Sequence, residues 1–454
     1  MSESATIPVA PGAVPLLGHL PRLMRDPLKY FDTLAAHGGL LTLRLGRKRV
    51  LVVCDPVLTH RVLMEDEVFD KGGPLFDAAR RLMPTAVGFV PHRRHRRLRR
   101  LMQPTFARGR LTGYGEIMTE QITAIVAGWP AGRELDVVAE MMAITGRVLA
   151  ASMFSGSLSE RTLRELVEDS IAMTRGLVRE MALPAPLMRL PTPGNRRYRR
   201  AVTRLRRAML ELVAERRAEG AAGIEHGDLV SALLAGTADG GGDRLCDEEI
   251  VDQLVLFVIA GVDTTAQTVS WALHELSRHP GIEASLQAEV DEVLAGRPAT
   301  YDDLPRFEVA ARILSEVLRL HSPSWMFTRQ TTEDTELGGH RIPAGTDMLY
   351  SPYIIGHRAR TYRDPERFDP DRWLPERAAG VGREEYIPFG AGARKCIGDQ
   401  FAFVEETLIL ATVAARWRLE TVPGNRIRTS RTIVNTPHGL RLRAVARERS
   451  NLER

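Results

Sequence analysis

The sequence predicts a mainly α-helical fold with a small β-rich lobe, and three observations carry that prediction. Over residues 56–217 apolar side chains recur at intervals of three and four, the spacing of amphipathic helices. Residues 247–279 read as one long helix, opened by acidic residues and closed before Pro280. Strand signals are confined to residues 40–54 and to the Gly/Pro-punctuated stretch beyond Pro323. No internal repeat or second boundary is visible. Residues 1–454 are therefore read as one domain with a flexible tail at 1–14, a length that a large helical enzyme can reach as a single unit.

In chain order, residues 28–36 predict a helix, and apolar runs at 40–45 and 49–54 flank a Gly46-Arg47-Lys48 turn as in a hairpin. The helical period after Pro56 breaks at Leu183-Pro184-Ala185-Pro186 through Pro191-Thr192-Pro193-Gly194, which reads as a loop, and again at 236–243, rich in Gly and Asp. In the long helix, residues 255–260 are apolar on every side, which predicts burial all round. A further helix spans 307–320, and a long irregular stretch covers 358–388, unusual inside one domain and usually functional. The final helix runs over 399–417.

Composition narrows the function class. With 44% hydrophobic and 26% charged residues the chain is of ordinary globular type. Cys54, Cys246 and Cys396 are too few and too scattered for a disulfide framework or a zinc cluster. The first residues lack the basic start and apolar core of a signal peptide, and no run approaches the roughly 18–20 apolar residues of a membrane span, so a cytoplasmic location and no membrane span are expected. The formal charge of +5 is concentrated in Arg-rich stretches at 92–100 and 196–207, but these hold one aromatic, Tyr198, and no recognisable reading module, which argues against nucleic acid.

The segment from Phe389 to Gly398 carries the chemistry. Gly390, Gly392 and Gly398 let the backbone turn tightly and approach a flat ligand. Cys396 stands just before the final helix, whose terminal amides stabilise a negative sulfur, so a thiolate ligand is expected. The segment resembles the heme-binding loop of the cytochrome P-450 family: Phe389, Gly392, Arg394, Cys396 and Gly398 fill the five places of the pattern Phe, two residues, Gly, one, Arg, one, Cys, one, Gly. The resemblance runs over about residues 11–443 and implies a triangular-prism fold with heme b (iron protoporphyrin IX) between the long helix and the helix after Cys396. It makes Cys396 the axial iron ligand, sets Phe389 beside the sulfur and pairs Arg394 with a heme propionate. His95 and Arg99, separated by three residues in the motif, and Arg329 match the family's other propionate contacts.

Two more motifs fit the resemblance. Glu316 and Arg319 lie at i and i+3 on one helix face, and with Arg372 they match a buried structural network that supports the heme loop. In the long helix, Ala260-Gly261-Val262-Asp263-Thr264-Thr265 matches the oxygen-activation motif. There Gly261 leaves room for dioxygen, Thr264 bonds the iron-bound oxygen and Asp263 helps deliver protons. A Thr bonded back to its own helix is the plain alternative. Substrate walls are assigned by family position to 71–90, 173–190, 256–264, 324–328 and 432–435, with Leu256, Phe257, Ala260, Met326 and Val434 as contacts. Their apolar character predicts an apolar, polycyclic substrate hydroxylated in one or more steps, and the chain resembles soluble bacterial members that oxidise terpenes. Coupling, desaturation or epoxidation of a fatty acid, macrolide or steroid is the second reading, and a non-catalytic heme sensor the third. With no fused reductase domain, a monomer receiving electrons from a separate ferredoxin and ferredoxin reductase is expected, docked on a basic face that includes Arg96, Arg97, Arg100 and Lys395.

Overall fold

A computed structural model describes residues 6–154, 160–183, 185–222, 226, 228–235, 244–429 and 434–447. Its β-rich lobe begins with β1 (Leu40–Leu45) and β2 (Lys48–Val53), paired antiparallel in the register Leu45↔Lys48 around Gly46, whose φ of +61° suits a residue without a Cβ. They join β3 (Phe69–Asp70), β5 (Phe327–Thr331) and β6 (Asp347–Tyr350) in the order β1-β2-β6-β5-β3. A second sheet, β4-β8-β7, gathers Glu134–Asp136, Arg441–Ala446 and Trp417–Thr421. The expected free tail is shorter than the sequence predicts: Thr42 N donates to Pro8 O at 2.8 Å and Ala10 N to Thr42 O at 3.0 Å, because the exposed edge of β1 offers unpaired groups.

The helices that frame the site are α1 (Pro56–Met64), α2 (Pro74–Leu82), α3 (His92–Met102), α4 (Val137–Phe154), α5 (Glu160–Ala182), α6 (Pro193–Ala221), α7 (Asp247–Leu276), α8 (Glu308–His321) and α9 (Asp399–Arg416). α1 starts where the Asp55 carboxylate accepts from Val57 N and Leu58 N, ahead of a proline at its first position. α7 opens with a capping box between Cys246 and Glu249 and with Asp247, Glu248 and Glu249 in its positive first turn. The expected loop at 183–194 holds a short helix, Ala185–Arg189, and the predicted break at 236–243 lies outside the described residues.

α7 is the axis of the core. Ile250 to Val258 are buried without interruption, and burial resumes at Thr265. Between them the expectation of burial all round fails: Ala260 is exposed, and Ile259, Gly261, Asp263 and Thr264 are half-buried. One flank of a core helix therefore faces an internal recess. Among the described residues α7 is also long and apolar enough to cross a membrane, against the expectation of no such run, although two-thirds of its apolar window is covered by the rest of the protein.

Candidate active site

The loop before α9 is closed by Cys396 N donating to Phe389 O at 2.9 Å, with Phe389 half-buried. Gly390 (φ +71°) and Gly392 (φ +66°) make the turn. At Gly392 the chain's own backbone comes close, since a Cβ there would stand 2.5 Å from Leu63 O at the end of α1. A Cβ at Gly398 would meet nothing within 4 Å. Cys396 lies deep among protein atoms, yet its side chain is solvent-accessible, as expected of a residue on the wall of a recess. Burial raises its thiol pKa, opposed by the Gly398 amide and by Arg99 and Lys71. A stable thiolate at this position thus calls for a metal cation against the sulfur.

Beside this loop sits a buried excess of positive charge. Arg394 donates to Asp66 (2.9 Å), Asp70 (2.6 Å) and Val90 O (2.8 Å), so the donors that the sequence assigns to a propionate have protein partners. Arg99 reaches Lys395 O at 2.6 Å and Gln103 at 2.8 Å, which makes it a brace of the loop. Three groups are left under-satisfied among the described residues: Arg329, 1% exposed, has no partner for Nε, His95 has none for Nδ1, and Lys71 stands over the Phe76 ring at 5.1 Å, with the nearby Asp70 carboxylate bonded to Arg394. Burial, Arg329 and Arg394 hold the Lys71 ammonium well below its usual range, and burial with Arg394 pushes His95 down to about 3. Cations crowded in low dielectric need a counter-anion. The carboxylates of a flat, doubly anionic metal cofactor fit this deficit, as an open metal position fits Cys396. An open cleft of about 800 Å³, lined by His95, Arg96, Arg99, Arg100, Gly392 and Ala393, reaches the loop from the α3 side, although Cys396 and Ala260 are not on its walls.

The less buried stretch of α7, from Ile259 to Thr264, carries a second set of polar groups. Thr264 Oγ1 donates to Ala260 O at 2.6 Å, the helix back-bond that was the plain reading of this threonine. Gln267 Nε2 donates to Asp263 at 2.9 Å, while burial raises the Asp263 carboxyl against the pull of Gln267, His438 and Arg175. A Cβ at Gly261 would stand 3.5 Å from Leu149 of α4, in ordinary contact, and the neighbouring Ala260 is the exposed residue of this stretch.

Glu316, Arg319 and Arg372 do meet. Glu316 accepts from Arg319 Nε (2.9 Å) and NH2 (2.8 Å), Arg372 Nε (3.3 Å), Trp373 Nε1 (2.9 Å) and Asp369 N (3.1 Å), and Arg319 NH1 donates to Gly356 O and Pro365 O. The substrate residues are less gathered. Leu256 lies against Gly88, Phe257 meets Phe106 edge-on at 5.4 Å, and Val434 bridges Ser324. Met326 packs instead on the lobe core around Phe31 and Trp325, because β5 turns it toward that lobe. Thr432 and Ile433 lie outside the described residues. Arg97, expected on a solvated basic face, pairs with Glu249 at 2.7 Å, and Lys395 pairs with Asp399. Sequence reasoning missed Lys71, Asp66, Asp70 and Gln267, and also Glu405 and Glu406, two buried carboxyls of α9 raised by burial, Glu406 to about 8.

Comparisons with known proteins bear on the family and the fold. The family model described as Cytochrome P450 matches residues 8–443. The chain is 44% identical over 423 residues to cyclooctat-9-en-7-ol 5-monooxygenase of Streptomyces melanosporofaciens, covering 93% of this chain and 91% of that one. It is 43% identical over 439 residues to pentalenene oxygenase of Streptomyces avermitilis, covering 96% and 97%. Its fold matches the crystal structure of cytochrome P450DA heme domain with a TM-score of 0.88 and 27% identity, over 98% of each chain.

Proposed function

This chain belongs to the cytochrome P450 family and is a monooxygenase, and from that premise we propose that it hydroxylates a cyclic terpene hydrocarbon at a heme b held by Cys396. The observation that carries the reading is exposure at two places bounded by buried chain, Cys396 just before α9 and Ala260 within α7, together with the unsatisfied buried nitrogens of Arg329 and His95. When bound, a thiolate-ligated heme supplies activation of dioxygen and favours cleavage of its O–O bond.

The chain's own groups do the rest. Lys71, His95 and Arg329 would hold the propionates by charge-assisted bonds, and Arg99 braces the loop that presents the sulfur. Burial favours a proton on the Asp263 carboxyl, as a proton carrier requires, Gln267 fixes its orientation, and the exposed Arg175 lies toward solvent. The half-buried Thr264 hydroxyl donates to Ala260 O, which leaves its oxygen free to accept, and it would donate to a bound ligand only by giving up that bond. Leu256, Phe257 and Val434 contribute apolar wall and exclude water. The names of two relatives, taken from oxidation of a polycyclic alcohol and a polycyclic alkene, support a terpene substrate. Exposed Arg96 and Arg100 beside the open cleft support docking of an acidic ferredoxin, with electrons relayed from its reductase to a cytoplasmic monomer.

The test couples spectra to turnover. Reduced protein under carbon monoxide should show the strongly red-shifted band of a thiolate-ligated heme, and Cys396→Ser should lose it; retention of the band in that variant removes Cys396 as ligand. With a surrogate ferredoxin system, a panel of cyclic terpenes should yield a hydroxylated product. NADPH consumption with no oxygenated product from any of them refutes the substrate class.

A further inference from the structure

α7 carries a second polar pair, Asp252 and Gln253, 1% and 0% exposed and three turns before the Asp263 window. Neither takes part in the proton delivery described above, and a buried carboxylate and amide in an apolar run must each have a tied partner. Both turn to residues 84–91, the connection between α2 and α3. Asp252 Oδ2 accepts from Thr85 N at 2.9 Å and from Thr85 Oγ1 at 2.7 Å, while Oδ1 accepts from Arg206 of α6. Gln253 Oε1 accepts from Val87 N at 2.7 Å, and its Nε2 donates to Thr85 O at 2.8 Å. Arg206 also donates to Leu82 O at 3.0 Å.

The other end of the connection is held by the cysteine loop, where Val90 O accepts from Arg394 at 2.8 Å. Between the two ties runs Gly88, whose Cβ would stand 3.3 Å from Leu256, one turn before Ala260. The strip from Val87 to Val90 thus spans from α7 to the Cys396 loop along the edge of the recess. An apolar substrate offers few hydrogen bonds, so its orientation is set by the shape of the walls, and a wall made of loop backbone is only as fixed as its ties.

We infer that Asp252 and Gln253 are specificity-determining positioning residues: by pinning Thr85 and Val87 to α7, and with Arg206 fastening α6 to the same point, they set the shape of the substrate pocket without touching the reacting atoms. This rests on the heme-thiolate reading above. Removing one partner of a buried amide frees the strip to move, a change worth roughly tenfold in the affinity of a bulky ligand.

Gln253→Leu and the milder Thr85→Val test the inference in the heme-loaded protein. Imidazole, which needs only the iron, and phenylimidazole, which also fills the wall, are titrated optically, and hydrogen exchange is read at the Thr85 and Val87 amides. Both variants should keep the carbonyl band and bind imidazole like the parent. Exchange at the two amides should speed up, and preference for phenylimidazole over imidazole should fall by about tenfold in Gln253→Leu and less in Thr85→Val. If Gln253→Leu, or both variants, keep the parent's preference within twofold while exchange rises, the ties do not shape the pocket and the inference is overturned. The titrations do not depend on finding a substrate. A parent that binds both imidazoles but hydroxylates no terpene counts against the proposed function and leaves this test intact.

Discussion

The cluster around Glu316 and the cluster around Lys71 are both buried and both charged, but they differ in how they are closed. Every oxygen of Glu316 and every donor nitrogen of Arg319 has a partner from the chain itself, across α8 and residues 356–373. Around Lys71 the carboxylates of Asp66 and Asp70 are taken up by Arg394, and Arg329 and His95 keep unpartnered nitrogens. A saturated network is a finished piece of structure, whereas a network with excess charge of one sign is half of a binding site. The difference also predicts opposite responses to losing a cation.

The largest effect is expected on the closed side. Arg319→Ala leaves Glu316 buried with a partial partner set, at a cost of roughly 3–5 kcal/mol, a large share of a typical stability of about 5–15 kcal/mol. Expression should give little soluble protein, judged by yield and by circular-dichroism melts. A soluble variant with the parent's melting point would erase the distinction between the clusters.

On the open side, Lys71→Met should leave the heme-stripped chain as stable as the parent or more so, because it removes a cation that burial, Arg329 and Arg394 already disfavour. Heme should dissociate about tenfold faster, measured by transfer to a scavenging globin. A heme-stripped variant that melts well below its parent would make Lys71 part of the scaffold.

The smallest effect sharpens the comparison within α9. Buried Glu406 has its carboxyl raised from 4.5 to about 8. Between those values the folded chain keeps a proton that the unfolded chain releases, so this group's contribution to stability falls as pH rises from 4.5 toward about 8. Glu406→Gln cannot ionise, and its melting point relative to the parent should gain a few degrees, ~3 °C, between about pH 5 and pH 8. A difference that does not vary with pH would show that Glu406 is ionised in the fold.

What the sequence disclosed and what it concealed follow from distance along the chain. The places of Phe389, Gly392, Arg394, Cys396 and Gly398, and the i, i+3 pair Glu316 and Arg319, are local patterns, as are the start of α7 at Asp247 and the helical class of the fold. α7 stops at Leu276, short of the predicted 279, because Ser277 to His279 turn the chain into the helix that begins at Pro280. Lys71, Asp66 and Asp70 stand in a short strand and its flanks with no period to mark them, and they become a site only through contacts such as Asp70 to Arg394, 324 residues apart. Asp252 and Gln253 did leave a trace: two polar residues within the apolar run from Ile250 to Val258 require buried partners. That Gly261 lies beside Leu149 of α4 and Met326 against the lobe core depends on the neighbouring helix and lobe, which no local pattern encodes.

The seat of Gly392 against Leu63 has a consequence for biogenesis. The end of α1 and the acidic pair behind it leave the ribosome early, while the loop that must nest on them is made more than 320 residues later, as the separation of 328 residues between Asp66 and Arg394 records. The pocket therefore cannot be completed until that loop has been made, after the central helices, and acquisition of the prosthetic group waits on a contact of high sequence separation.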